Sequence, residues 1–268
     1  MPELPEVETI KRTMAKYRET KIVGIDVLRS DVIRLEDFPI KTLHDKTIKE
    51  VYRRGKFLVF CLGDKLNLVV HLGMSGRFYA VNEDGVVQEP HIHVIIHLNN
   101  NHKLIYQDTR RFGGIWLVKD ILAFFAHLGV EPLEENFNCS YLTGILKNRK
   151  IAIKTLLLNQ NIVCGIGNIY ADEALFMAGI RPNRSAGSLS KDEIEGLCQA
   201  IKKVLKNGIE HRGTTFRDYR DAFNKSGDFQ NHLQVYGRSN EDCFQCGNKI
   251  KRQIIGGRSS HYCDICQK

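Results

Sequence analysis

At 268 residues, 43% of them hydrophobic, the chain is long enough to bury one large core or two medium ones. Its 39 Lys and Arg against 31 Asp and Glu leave a formal charge of +8, and the sequence pI near 9.0 favours a polyanionic partner. No apolar run approaches the length that crosses a bilayer, and an opening of prolines and carboxylates excludes a secretion signal, so a cytosolic protein is expected.

The chain opens Met1-Pro2-Glu3-Leu4-Pro5-Glu6-Val7-Glu8, and a helix is predicted to begin here. Pro5 suits a first helical turn, the early glutamates face the positive end of the dipole, and Leu4, Val7, Ile10 and Met14 form one apolar stripe. A chemical reading stands beside this structural one. Once Met1 is removed, Pro2 presents a secondary amine next to the carboxylate of Glu3. Terminal amines titrate near pH 8, roughly two units below lysine, so such a group is partly neutral and nucleophilic. Attack on an aldehyde-like carbon gives an iminium ion, which acidifies neighbouring C–H bonds and favours elimination. Glu3 can shuttle the protons, and Glu6 can orient it or a water.

Residues 21–119 read as strands. The segments IVGIDVLRSDVIRL, FLVFCL, LNLVVHLGM, GRFYAV, HIHVIIHL, KLIYQ and GGIWLV are β-branched or aromatic and separated by turn residues, which predicts an antiparallel sandwich or flattened barrel. From Ile121 the texture is helical: ILAFFAHLGV, the segment Leu142–Leu158, Ile169–Met177 and Asp192–Lys206 carry helical spacing. The fold class is therefore α+β in two domains. The boundaries expected are a helix and sandwich over 1–120, a hinge over 121–135, a helical domain over 136–235 and a cysteine finger over 236–268.

Within the strand region, Lys56 lies in YRRGKFLVF. Arg53 and Arg54 disfavour its protonation and make it a better base or relay, although a solvated basic turn has the same pattern. HLGMSG carries His71 and Met74 on a tight turn, where an exposed Met suits a wedge that fills the hole left by a flipped base. DTRRFGG sets Arg110 and Phe112 on another turn, a guanidinium and a ring able to stack on an orphaned base or hydrogen-bond to it. Each of these is also compatible with ordinary core or surface. His91 precedes a strand on which His93 and His97 alternate with apolar residues. No carboxylate or third ligand stands at suitable spacing, so no metal is expected there.

Residues 150–180 read as a helix, a glycine turn with Gly165 and Gly167, Asn168 as N-cap, and a second helix. The free N–H groups of that second helix attract a phosphate, Asn168 can contact it, and Lys150 and Lys154 supply charge. An ordinary capped helical hairpin shares the pattern. The polar, aromatic stretch 213–238, which includes Tyr236, has no clear period and reads as a functional loop. Cys61, Cys139, Cys164 and Cys198 are scattered core fillers. Cys243-x-x-Cys246 and Cys263-x-x-Cys266 instead have the spacing of a closed tetrahedral zinc site, one structural Zn2+ that leaves no position for a reacting water.

PELPEVET resembles the N-terminus of bacterial formamidopyrimidine-DNA glycosylases, and GIGNIYADE resembles the helix–two-turn–helix element of that superfamily. With the RRGKFL turn, the Met74, Arg110 and Phe112 trio, the loop and the finger, the resemblance runs from Pro2 to Lys268. It implies a bifunctional DNA glycosylase and abasic-site lyase of base excision repair, a monomer acting on damaged duplex DNA in the bacterial cytosol. Oxidised purines (8-oxoguanine and formamidopyrimidines) would be extruded and excised by attack of Pro2 on C1′, with β- and δ-elimination following. By resemblance Lys56 lies near the reacting sugar, His71, His91 and Tyr236 join the DNA contacts, and Arg258 at the finger tip reaches the lesion strand. Thr214, Thr215, Phe216, Arg217 and Tyr219 are pocket candidates in the loop that closes on the extruded base. Cys164 departs from the pattern, where a small residue such as alanine is expected, and implies a change in packing. Two alternatives keep much of this: a sister glycosylase for oxidised pyrimidines, and a non-catalytic zinc-finger DNA-binding protein.

Overall fold

The computed structural model describes residues 1–85, 89–214 and 227–268. The chain forms two compact units, Met1–Ala126 with residues 211–230, and His127–Glu210 with Asn231–Lys268.

The first unit begins with helix α1 (Leu4–Met14), and the apolar stripe read from the sequence is the buried face: Leu4, Val7, Ile10 and Met14 are each at most 1% exposed. Burial of such side chains stabilises by about 1.5–3 kcal/mol apiece, which fixes the head of the chain to the body of the unit. Two sheets follow. The strands β1 (Ile22–Val27), β7 (Ile92–Leu98), β8 (His102–Asp108) and β6 (Gly76–Asn82) form one, in that order. The other runs β2 (Ile33–Glu36), β9 (Gly114–Val118), β5 (Asn67–His71), β4 (Phe57–Cys61) and β3 (Glu50–Arg54). Alternate residues meet in one core: Leu58 and Phe60, Leu68 and Val70, Val94 and Ile96, Leu104 and Tyr106, Ile115 and Leu117.

Two departures from the sequence reading are instructive. The run from Ile22 to Leu35 is not one strand, because a 3-10 turn at Ser30–Val32 breaks it into β1 and β2. β2 then pairs in parallel with β9, whereas the other strand pairings in the two sheets are antiparallel. β3, whose residues EVYRR lack an apolar run, escaped notice because β4 supplies its register. Outside the five-stranded sheet the short helix α2 (Ile121–Phe125) brings Phe124 and Phe125 onto Phe57, with Trp116 beside them.

In the second unit the expected helix over 142–158 is two, α3 (Cys139–Leu146) and α4 (Ile153–Leu157). Between them Asn148 takes a left-handed φ of 59°, which a continuous helix cannot contain. Helices α5 (Asn168–Met177) and α6 (Lys191–Glu210) pack where Gly208 meets Tyr170: a Cβ there would lie 2.5 Å from the ring. Gly167, not Asn168, is the N-cap of α5, so Asn168 is its first helical residue. Strands β10 (Lys251–Ile255) and β11 (Arg258–Tyr262) make a hairpin whose two-residue turn, Gly256-Gly257, has φ of 55° and 74°. That tight turn sets Arg258 at the hairpin tip.

On β7 the His97 ring lies between two acids, Nδ1 2.9 Å from Glu83 Oε1 and Nε2 2.9 Å from Asp26 Oδ2. Lys103 also reaches Glu83, at 3.4 Å. Burial alone would lower the imidazole pKa, but the two carboxylates outweigh it and raise it. A raised pKa means that this contribution is complete below the unfolded value and is lost as pH rises through the folded one. His97→Gln should therefore cost up to about 1 kcal/mol in urea unfolding at about pH 5.5 and nothing measurable at about pH 8.5.

Candidate functional site

The head of the chain is buried although it is polar. Pro2 lies in the interior, and Glu3 and Glu6 are 2% and 1% exposed. The Glu6 carboxylate accepts the Glu3 N–H at 2.8 Å through one oxygen and the Thr214 N–H at 2.7 Å through the other. Gly213 makes this approach possible, since its φ is 80° and a Cβ would sit 2.7 Å from Glu6 Oε1. Of the pocket candidates, Thr214 is thus brought to the N-terminal acids and is itself buried. Thr215, Phe216, Arg217 and Tyr219 lie outside the described residues.

Lys56 occupies the turn between β3 and β4 and is only 6% exposed, so the solvated-turn reading is overturned. Arg53 is itself neutralised. Its guanidinium is engaged by Glu8 at 3.2 Å and the Gly55 carbonyl at 3.0 Å, which compensates the charge expected to act on Lys56. His71 ends β5, packs against Phe57 with the rings tilted and their centroids 4.7 Å apart, and accepts the Gly73 N–H on Nδ1 at 3.2 Å.

The turns after β5 and β8 come together. Met74 is 40% and Phe112 58% exposed, and the Arg110 guanidinium lies over the Phe112 ring, 4.7 Å from its centroid. Between the turns sits Asp108, fully buried, a residue the sequence reading passed over. It accepts Ser75 Oγ at 2.6 Å, the Arg110 N–H at 3.3 Å and the Gly113 N–H at 2.9 Å, with the Tyr106 hydroxyl at 3.3 Å. The one available signal was an acid at the start of DTRRFGG, a common turn opener. His91 stands exposed before β7 with φ 65°, and its carbonyl accepts the Asp108 N–H at 3.0 Å. His93 turns its Nε2 to the Asp108 carbonyl at 2.8 Å.

In the second unit Lys150 is exposed just before α4. Lys154 is a correction: it is fully buried, 2.6 Å from Asp172 Oδ1, and donates to the Ser259 carbonyl at 2.7 Å and Ser260 Oγ at 2.8 Å. An ammonium so enclosed ties α4 and α5 to β11 and has no route to a phosphate. Asp172 also accepts the His261 N–H at 2.9 Å. Its neighbour Glu173 accepts the N–H groups of Gln234, Val235 and Tyr236 at 2.8–2.9 Å. The acids of GIGNIYADE therefore hold two segments that the sequence offered as ligands: Tyr236, whose ring rests against His261, and the hairpin bearing exposed Arg258. Asn168 donates to the Ser259 carbonyl at 3.0 Å, one residue from Arg258.

The four sulfurs of Cys243, Cys246, Cys263 and Cys266 lie within 4.8 Å of one another, with Cys243–Cys266 at 3.8 Å and Cys246–Cys263 at 3.5 Å. A tetrahedron with zinc–sulfur bonds near 2.3 Å has edges of about 3.8 Å, so the cluster is consistent with a structural zinc site. Cys164 is a buried thiol that contacts the Val130 carbonyl at 3.4 Å and Glu131 Oε1 at 3.3 Å, a polar fit that alanine could not make.

Residues 1–115 match the family model of the formamidopyrimidine-DNA glycosylase N-terminal domain, and residues 128–220 match that of the formamidopyrimidine-DNA glycosylase H2TH domain. A formamidopyrimidine-DNA glycosylase of Syntrophomonas wolfei is 58% identical over 268 residues, covering 100% of both chains. One from Pelotomaculum thermopropionicum is 48% identical, covering 100% of this chain and 99% of its own. Among solved structures, the Lactococcus lactis FPG (MutM) in complex with a Fapy-dG-containing DNA superposes with a TM-score of 0.92 at 34% identity, covering 99% of this chain and 100% of that one.

His71 supplies a test of this geometry. Burial, and then the charge of Lys56, push its imidazole down to about 4, against a smaller opposing effect of Asp108. The fold needs the neutral ring, so stability from this site is complete above the ordinary value of 6.5 and is lost as pH falls toward about 4. His71→Asn should flatten the acid limb of stability in that window, by on the order of 1–3 kcal/mol in denaturant titrations.

Proposed function

Since the chain belongs to the formamidopyrimidine-DNA glycosylase family, we propose that it excises oxidised purines, 8-oxoguanine and formamidopyrimidines, from duplex DNA and cuts the strand at the vacated sugar, with Pro2 as nucleophile. The observation that carries this reading is the N-terminal constellation: Pro2 and Glu3 buried at the head of α1, with Glu6 bonded to the N–H of both Glu3 and Thr214. Met1 is half exposed, and its removal frees the Pro2 amine. The amine bonds to C1′ as the bond from C1′ to the base breaks, the electron pair leaving with the base. Protonation of the ring oxygen by Glu3 opens the sugar to an iminium ion. Loss of a C2′ proton then expels the 3′ oxygen, and a second elimination expels the 5′ oxygen. Lys56, enclosed next to His71, assists at the sugar.

Phosphates of the lesion strand would be held by Lys150, Asn168, Tyr236 and Arg258, with His71 and His91 on the first unit. Lys154 supports that set from behind. Met74, Arg110 and Phe112 fill the space of the extruded nucleotide, which offsets an unstacking cost of a few kcal/mol. The four cysteines would hold one Zn2+, whose chemistry is to fold a hairpin too small to hold itself.

Borohydride trapping on a duplex with one 8-oxoguanine opposite cytosine should give a covalent adduct that mass spectrometry places on the N-terminal proline. Trapping confined to oxidised-pyrimidine duplexes would shift the substrate class, and no adduct on either would remove the lyase reading. Pro2→Gly and Glu3→Gln should each lower strand cleavage by at least about 100-fold while binding to abasic-site DNA persists. The purified protein should hold one zinc per chain, and Cys246→Ser should lower both zinc content and affinity for damaged DNA.

A further inference from the structure

Arg34 was not singled out by the sequence and makes no part of the site described above. It lies on β2, where the parallel pairing with β9 slips between Ile33 and Leu35, so Arg34 is the extra residue of an irregularity. Such a bulge re-aims a side chain. Here it sends the guanidinium under the turn that carries Arg110 and Phe112: Nη2 donates to the Arg111 carbonyl at 2.8 Å and the Gly113 carbonyl at 3.1 Å, and Nε to the Gly113 carbonyl at 3.3 Å. Gly114 leaves the room, since a Cβ on it would stand 2.5 Å from Arg34 Cγ.

The arrangement complements that of Asp108. The anion takes the N–H groups of Arg110 and Gly113, and the cation takes the carbonyls of Arg111 and Gly113. Arg111 between them has a φ of 53°, an unfavourable region for a residue with a side chain, and its own guanidinium is held by Asp31 at 2.7 Å. A turn kept in a strained conformation by bonds from both sides, with an aromatic ring left outward, is built to present that ring rather than to bury it.

We propose that Arg34 is a positioning residue for base extrusion: with Asp108 it fixes the Arg110–Phe112 turn in the shape that enters the duplex. The inference rests on reading that turn as a wedge. The guanidinium bonds to the Arg111 and Gly113 carbonyls, not to the N-terminal acids. Its loss therefore slows the step that unstacks the lesion and leaves the chemistry of an already vacant sugar intact.

The test compares two substrates under single-turnover conditions. Arg34→Met keeps the aliphatic stem and removes the three bonds. It should slow base excision from an 8-oxoguanine:cytosine duplex by about 10-fold or more, the scale of lost charge-assisted hydrogen bonds. Strand cleavage at a preformed abasic site should change by less than about 2-fold, because no base has to leave the stack. A 2-aminopurine beside the lesion should brighten more slowly in the variant, in step with excision. Arg34→Lys, which can still reach a carbonyl, should recover part of the rate. Equal losses on both substrates, with a lowered unfolding midpoint, would make Arg34 a fold residue and overturn the proposal, as would full activity on both. Wild-type protein that cleaves abasic sites but excises no oxidised purine would instead strike the substrate reading, and the 2-aminopurine signal would still decide the role of Arg34.

Discussion

A carboxylate taken out of water costs several kcal/mol unless its oxygens are bonded, and the working surfaces of this protein are organised by that constraint. Glu6, Asp108, Asp172 and Glu173 are each at most 3% exposed. Every one of them accepts backbone N–H groups from a segment with no regular structure of its own or from the hairpin: Glu3 and Thr214, Arg110 and Gly113, His261, and residues 234–236. The acid supplies the partner that a loop amide lacks, and the loop supplies the solvation that the acid has lost. Neither is stable without the other, so each bonded amide is held in place by its acid. Burial raises the Glu173 carboxyl pKa even against three N–H donors, which shows how little is spare in such a tie. At Asp172 the balance includes Lys154, and removing either ion alone would strand the other at a cost of about 3–5 kcal/mol.

The apolar core plays a different part. It holds α1 by one face and closes the two sheets on each other. The exposed apolar side chains of interest, Met74 and Phe112, stand on turns braced by polar bonds. Leaving a ring such as Phe112 in water forgoes about 1.5–3 kcal/mol of burial. In the proposed role that amount would be recovered when the ring enters a base stack, and it is of the same order as the cost of unstacking one base step.

What could be read in the sequence follows from this division. The stripe of α1, the β-branched and aromatic runs of β4 to β9, the glycine turn before α5 and the paired cysteines are local patterns, and each stands where its spacing put it. The ties are not local. Glu6 meets Thr214 across 208 positions and Lys154 meets Ser260 across 106, distances at which no periodicity operates. Lys154 illustrates the consequence: in KIAIK it has the look of a solvated cation, and only the fold reveals the acid that encloses it. Arg34 was invisible for the same reason, as its role depends on a slipped parallel pairing that the strand pattern alone does not encode. The broken helix at 147–152 is a separate kind of miss, a left-handed Asn148 inside a run of helical spacing.

For the wedge proposed here, a fixed turn differs from a mobile one in when its ordering cost arises. Ordering one backbone residue costs about 1–2 kcal/mol, so a free turn of four residues would add roughly 4–8 kcal/mol to the barrier at the moment of insertion. That would match or exceed the few kcal/mol of unstacking itself. The bonds from Asp108 and Arg34 move this ordering cost into folding, where the core of the unit absorbs it. The net charge of +8 then has a separable task, since attraction to phosphate is independent of sequence and weakens with salt. Charge brings the protein to any duplex. In the proposed role a rigid turn would press on every base pair it meets, and only a base whose pairing or stacking is already weak would yield at a pressure of this size.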